Sequence, residues 1–110
     1  MKVLLIGAGK GGSALLTILH EDKEIEIVGV VDNNPQSEGL KIARHYNIPT
    51  YTHYEKLIKR DDLDVIIDVT RNPLVHIDIE KNKPANTEIL GGLSAKLIWN
   101  LVEERKKKEE

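Results

Sequence analysis

The apolar run Val3-Leu4-Leu5-Ile6 passes directly into Gly7-Ala8-Gly9-Lys10-Gly11-Gly12, which passes into Ala14-Leu15-Leu16-Thr17-Ile18-Leu19. A strand-forming stretch, a glycine-rich turn and a helix-forming stretch in that order leave few architectures open. Gly7 suits the tight turn, Gly9 lets the main chain come close to a pyrophosphate, and Gly12 lets the helix pack on the strand with no side chain between them. The free amides at the helix start then face an anion, with Lys10 and Gly11 inside the same loop. Lys10 also stands where the signature tolerates many residue types.

A second strand is predicted over Glu24-Ile25-Glu26-Ile27-Val28-Gly29-Val30-Val31, ending on Asp32. A carboxylate at that place accepts hydrogen bonds from the adenosine ribose hydroxyls and repels a phosphorylated ribose, so NAD is favoured over NADP. Asn33 and Asn34 follow, with no Arg or Lys in the segment to welcome the extra phosphate. The competing reading of Asp32 is a plain turn residue opening Asp32-Asn33-Asn34-Pro35, since Asp and Asn favour turns.

Further on, Leu40–Tyr46 reads as a short helix closed by Asn47-Ile48-Pro49, Thr50-Tyr51-Thr52 as a brief third strand and Tyr54–Arg60 as another small helix. Asp64–Thr70 is a fourth strand, and its continuous apolar stretch suits a parallel strand buried on both faces. Asp68 interrupts it, either near the sheet's end where it meets water or a backbone amide, or as a site residue. Pro73 opens a helix with Leu74, Val75, Ile77 and Ile79 on its packing side. Thr87–Leu90 is a fifth strand, ending at Gly91-Gly92. Strands alternating with helices imply an α/β, doubly wound parallel sheet of order 3-2-1-4-5. Ligands belong at the carboxyl ends of such strands, which gathers Gly7 to Gly12, Asp32, Thr70-Arg71-Asn72-Pro73 and Gly91-Gly92-Leu93-Ser94 along one edge. Arg71 either pairs with a phosphate or carboxylate or is an ordinary surface arginine.

At 110 residues the chain holds one domain, short for a complete two-domain dehydrogenase. The expected division is a nucleotide-binding domain over 1–102 and a charged helical extension or linker over 103–110. With no cysteine, disulfides, thiolate metal sites and a cysteine nucleophile are excluded. A net charge of −2 gives no case for direct nucleic-acid binding. No signal peptide precedes the first strand and no apolar run is long enough for a bilayer, so a cytoplasmic location without membrane contact is expected. His20, His45, His53 and His76 lack metal-ligand spacing and an evident orienting acid, and read as surface or capping residues. No catalytic residue and no metal site is assigned.

The last helix is predicted to start at Ser94 as its cap, with Leu97, Ile98, Leu101 and Val102 apolar and everything from Glu103 to Glu110 charged. Glu104 with Lys108 has the favourable acid-first spacing, while Arg105 with Glu109 and Lys106 with Glu110 have the reverse. The segment is either a solvated C-terminal helix or the first turns of a connector. Trp99 either packs in the core or anchors a joint or a homodimer face.

Through Gly7, Gly9, Gly12, Asp32 and the Thr70-Arg71-Asn72-Pro73 turn, the chain resembles the NAD(P)-binding domain of the glucose-fructose oxidoreductase and inositol dehydrogenase family. It is less closely similar to that of dihydrodipicolinate and aspartate dehydrogenases. Two departures stand out. The family's Glu-Lys-Pro segment after strand five, with its catalytic lysine, is replaced by Gly91-Gly92-Leu93, and Lys83-Pro84 comes too early to substitute. A charged helix is expected in place of the start of the family's α/β substrate domain. The segment from Gly91 to Arg105 also resembles the exit of Rossmann modules that precede PAS and histidine-kinase domains in bacterial signalling proteins. That resemblance implies an NAD(H)-binding sensory module, leaning away from an enzyme, with a downstream signalling domain as partner. The alternative is the cofactor domain of an NAD(P)-dependent oxidoreductase lacking its substrate domain. A third reading is a coenzyme A-binding or redox-repressor-like fold, since related sheets bind other adenine nucleotides.

Overall fold

The computed structural model describes residues 1–109; the side chains of Ala95, Trp99, Val102 and residues 105–110 lie outside that description. The elements are β1 (Lys2–Ile6), α1 (Lys10–Glu21), β2 (Glu26–Val31), α2 (Glu38–His45), β3 (Thr50–Tyr51), β4 (Val65–Asp68), α3 (Pro73–Asn82), β5 (Glu88–Gly91) and α4 (Leu93–Glu109). All five strands pair in parallel in the order β3-β2-β1-β4-β5, as the alternation of strands and helices requires.

Successive side chains on β1 point to opposite faces, and both faces are covered, which is why the strand reads as an unbroken apolar run. Val3 and Leu5 pack with Leu15, Leu16 and Leu40 on one side. Leu4 and Ile6 pack with Ile58, Leu63, Ile66 and Ile79 on the other. Ile98 of α4 rests against the first layer. The expectations for Trp99, for Val102 and for the charge pairs Glu104–Lys108, Arg105–Glu109 and Lys106–Glu110 fall outside the described residues.

Helix α2 closes as its sequence suggests. Asn47 turns left-handed at φ 61°, and the Ile48 N–H donates to the Ala43 carbonyl at 2.8 Å. Tyr54–Arg60, however, is not a helix. Only a 3₁₀ turn over Leu57–Lys59 forms, with Ile58 its single buried residue. The Tyr54 carbonyl accepts from both Leu57 and Ile58, at 2.9 and 3.1 Å, and Arg60 leaves the turn to fork onto Asp62 at 2.9 and 2.7 Å. Ile58, with Tyr54 and Leu57 only partly buried beside it, is too little to propagate a helix past its costly first turn. That Arg60 fork, aided by Lys2, holds the Asp62 carboxyl well below the usual carboxylate range.

Helix α3 also differs from its pattern. Val75 and Ile79, four residues apart, face the core, whereas Leu74 is 76% and Ile77 49% exposed. The helix covers the β5 edge of the sheet, where there is core to meet on one narrow stripe only. Ile79→Ala is therefore expected to cost about 2–5 kcal/mol, and Leu74→Ser to stay within about 0.5 kcal/mol, measured by urea unfolding.

The Tyr54 hydroxyl donates to Asp78 at 2.7 Å, stapling the β3–β4 connection to α3. Burial, reinforced by that hydrogen bond and the Asp78 charge, pushes the phenol from 10.0 up to about 12. The folded state then holds the proton more tightly than the unfolded chain. This contribution to stability is complete below pH 10 and is lost as the pH rises to about 12. In an absorbance titration one of the three tyrosines is expected to ionise last, and Tyr54→Phe to remove that late step.

Candidate cofactor site

The carboxyl ends of the strands lie level. Tyr51 is in register with Val31, Val31 with Ile6, Ile6 with Asp68 and Asp68 with Gly91. The turns that follow these residues therefore leave the sheet side by side, and the glycine loop is flanked by Asp32 on one side and by Thr70 on the other. Gly91-Gly92 lies one strand further out.

Three glycines of the loop have separate physical causes. Gly7 takes φ +101° while its N–H donates to the Val31 carbonyl at 2.8 Å. A Cβ there would lie 3.0 Å from the Val69 carbonyl carbon, so the β1 turn rests on the β4 turn. A Cβ on Gly12 would stand 2.0 Å from the Gly7 carbonyl oxygen, which leaves no room for any side chain. Gly9 is different: its φ of −75° is open to every residue, and a Cβ there would meet nothing within 4 Å. Nothing inside the chain requires a glycine at position 9.

Gly9 is also the N-cap of α1, where no side chain caps the helix and no acid stands in the first turn. The opening N–H groups of the helix, on Lys10, Gly11 and Gly12, have no intrahelical acceptor and carry the positive end of the dipole. Lys10 is exposed at the first helical position. These donors have the chemistry to hold an anion such as a pyrophosphate.

Asp32 forms the turn that its sequence position suggests and also contacts the glycine loop. Its Oδ1 accepts the Asn34 N–H at 2.9 Å, a turn within its own segment. Its Oδ2 accepts the Ala8 N–H at 2.8 Å, so the carboxylate is turned toward the glycine loop. Each oxygen has capacity for a second donor, and the residue is only half-buried. Asn33 is exposed beside it.

At the end of β4, Asp68 is 3% exposed. Its Oδ1 accepts the Thr70 N–H at 2.9 Å and the Thr70 hydroxyl at 2.7 Å. The Thr70 hydroxyl in turn accepts the Asn72 N–H at 3.2 Å, and Asn72 caps α3 through the Leu74 N–H at 3.0 Å, with Pro73 as the first helical residue. Asp68 thus meets backbone amide at the sheet's end. Arg71, inside this turn, is exposed and left-handed at φ 60°.

His76 has acids nearby, but none holds it by a hydrogen bond, and its buried Nδ1 has no hydrogen-bond partner among the described residues. Its Nδ1 lies 3.5 Å from Asp68 Oδ2 and its Nε2 3.9 Å from Glu80. Gly91 admits the ring, for a Cβ there would fall 2.8 Å from His76 Nδ1. His20 and His45 pack against Tyr46, with ring centroids 3.8 and 5.8 Å apart.

Ser94 is not the helix cap. It already lies inside α4, and its hydroxyl accepts from the Gly91 N–H at 3.1 Å and donates to the Gly91 carbonyl at 2.7 Å. Gly92 precedes the helix with φ 59°. Among the described residues, no three His, Asp or Glu side chains gather to hold a metal ion, and no helix is long and apolar enough to cross a membrane.

A family model for oxidoreductases with an NAD-binding Rossmann fold (GFO/IDH/MocA) matches residues 1–86. The chain belongs to this family. Acetaldehyde dehydrogenase of Acidovorax sp. (strain JS42) is 33% identical over a 93-residue alignment that covers 80% of this chain and 30% of that protein. Among solved structures, scyllo-inositol dehydrogenase from Lactobacillus casei, with NAD(H) and scyllo-inositol bound, superposes with a TM-score of 0.67 at 13% identity, over 98% of this chain and 34% of that one. Saccharopine dehydrogenase from Saccharomyces cerevisiae does so with a TM-score of 0.65 at 17% identity, over 82% of this chain and 21% of that one. Likeness at those identities concerns the fold alone. The chain spans about 30% of the length of its Acidovorax relative. NAD is the cofactor of the family fold. The similarities weigh toward the oxidoreductase reading and away from the signalling module that the 91–105 segment suggested.

The contrast between glycines is testable by thermal and urea unfolding. Gly12→Ala is expected to cost about 3 kcal/mol or more, because the clash is with backbone. Gly9→Ala is expected to cost about 1 kcal/mol or less, the ordinary penalty for a poorer N-cap.

Proposed function

We propose that this chain is the cofactor-binding domain of an NAD-dependent oxidoreductase, with residues 1–102 forming the domain and 103–110 leading away from it. The observation that carries this reading is Gly9: its glycine is required neither by its own backbone angles nor by any neighbour in the chain, and close approach of a ligand to the main chain accounts for it. The N–H groups of Lys10, Gly11 and Gly12 would receive the pyrophosphate, and the Lys10 ammonium would stand beside it. Asp32 would accept the adenosine ribose hydroxyls, with Asn33 at the rim. Thr70, Arg71, Pro73, Gly91 and Gly92 would border the nicotinamide half, since their turns leave the sheet on that side of the loop.

NAD, when bound, supplies a hydride acceptor. This chain's own contribution is to hold and orient it; no residue here is assigned as the acid or base of a reaction. With only 30% of the relative's length matched by this chain, the substrate and the proton-transfer groups fall to protein beyond this domain, in the same or another chain.

Calorimetry with NAD and NADH is the direct test. Binding in the micromolar to low-millimolar range is expected, and no heat with either at millimolar concentration overturns the reading. Gly9→Ala is expected to weaken NAD at least tenfold with its melting temperature nearly unchanged, which separates lost binding from lost fold. Asp32→Asn, which can keep one of the two backbone hydrogen bonds, is expected to weaken NAD more than NADP.

A further inference from the structure

Helix α4 carries apolar residues on two sides. Ile98 rests against the core layer that holds Val3, Leu5, Leu15 and Leu16, whereas Leu93, Leu97 and Leu101 are 84%, 59% and 61% exposed. These three recur every fourth residue, so each is rotated by only about 40° from the last and together they make one row about 12 Å long. Single exposed leucines are ordinary, but a continuous row of them marks a face used for association. Two charged residues stand on one flank of the row. Lys96 is exposed and Glu103 half-buried, and a spacing of seven residues sets them within about 20° of each other around the helix. Three and four residues to either side of Lys96 stand Leu93, Gly92, Trp99 and Asn100, so its own helix offers it no acid. It forms no ion pair among the described residues.

We infer that this row is the interface with a second copy of the chain, the two α4 helices lying antiparallel across a two-fold axis near residue 99. A two-fold contact needs a face that is its own complement, with each residue i meeting j while j meets i. The α4 row has that property. With the axis there, Leu97 of one copy lies opposite Leu101 of the other, twice over, and Leu93 extends the seam at each end. The same operation keeps each charged flank on its own side of the seam. Lys96 of one copy therefore comes alongside Glu103 of the other, again twice, and the acid that its own helix lacks is supplied by the second copy. In a parallel pair the two flanks fall on opposite sides of the seam, and Lys96 and Glu103 no longer meet. The seam is short beside a standard interface, so the association is weak and reversible. Because α4 begins directly after Gly91-Gly92 at the carboxyl edge of the sheet, the antiparallel pair points the two cofactor edges in opposite directions.

Sedimentation equilibrium of the full chain from micromolar to millimolar concentration tests this. A reversible equilibrium between monomer and dimer is expected; a monomer throughout, or an assembly larger than a dimer, overturns the inference. Leu97→Glu and Leu101→Glu are each expected to weaken the dimer by about tenfold or more. Both side chains are exposed, so the melting temperature of each variant, compared with wild type where all are monomeric, is expected to move by no more than a few degrees. Lys96→Glu and Glu103→Lys are each expected to weaken the dimer by about threefold or more, and the two reversals together to restore it to within about twofold of wild type. A dimer indifferent to these changes, or a double reversal no better than the single ones, overturns the antiparallel α4 interface. NAD affinity, measured by calorimetry, is expected to be the same in all of these variants, so the interface and the cofactor reading stand or fall separately.

Discussion

The first turn of α1 sits directly over the end of β1 because a bare Cα at Gly12 faces the Gly7 carbonyl at a distance no Cβ could share. That contact sets how the helix leaves the strand, and with it where the opening amides of α1 are delivered. Gly7 adds the second half of the constraint, since its left-handed turn rests against Val69 and Thr70. Two glycines therefore lock α1, β1 and the β4 turn together, and the third stands over open space.

Two carboxylates flank this arrangement and do unlike work. Asp68 is buried, and its Oδ1 is committed to the Thr70 backbone and hydroxyl, with His76 at its other oxygen. It shapes the turn that carries Arg71 and Pro73. Asp32 lies at the same level of the sheet but half-exposed, with one backbone N–H on each oxygen and lone pairs still free. It both braces the loop and keeps capacity for a ligand. A buried acid that had to stay charged without donors would be costly, and the local amides remove that cost in both places.

The family match covers β1 to β4, α1 to α3 and the turns between them, and stops before β5. What distinguishes this chain from its longer relatives lies outside that stretch. Gly91-Gly92-Leu93 stands where the family resemblance leads one to expect a catalytic lysine, and Gly91 is occupied locally by the approach of the His76 ring and the Ser94 hydroxyl. The end of β5 in this domain thus lies between the His76 ring of α3 and the Ser94 hydroxyl of α4, with Gly92, Leu93 and Ser94 exposed.

The strand order, the glycine turn and the acid after β2 were legible in the sequence because each rests on local rules: period of apolar residues, turn chemistry and the alternation of strands with helices. Contacts between residues distant in the chain were not. Nothing local says that Arg44 reaches Pro35, that Asp68 comes within 3.5 Å of His76, or that Leu74 and Ile77 look out to solvent. Nor does apolar spacing alone reveal that Tyr54–Arg60 has too little core above it to become a helix. The sequence by itself determined the scaffold and the glycine turn into α1, since backbone geometry at glycines and helix starts is a short-range matter. Only the tertiary structure decided which side chains gather around that turn, because side-chain reach and burial depend on how the layers close over the sheet.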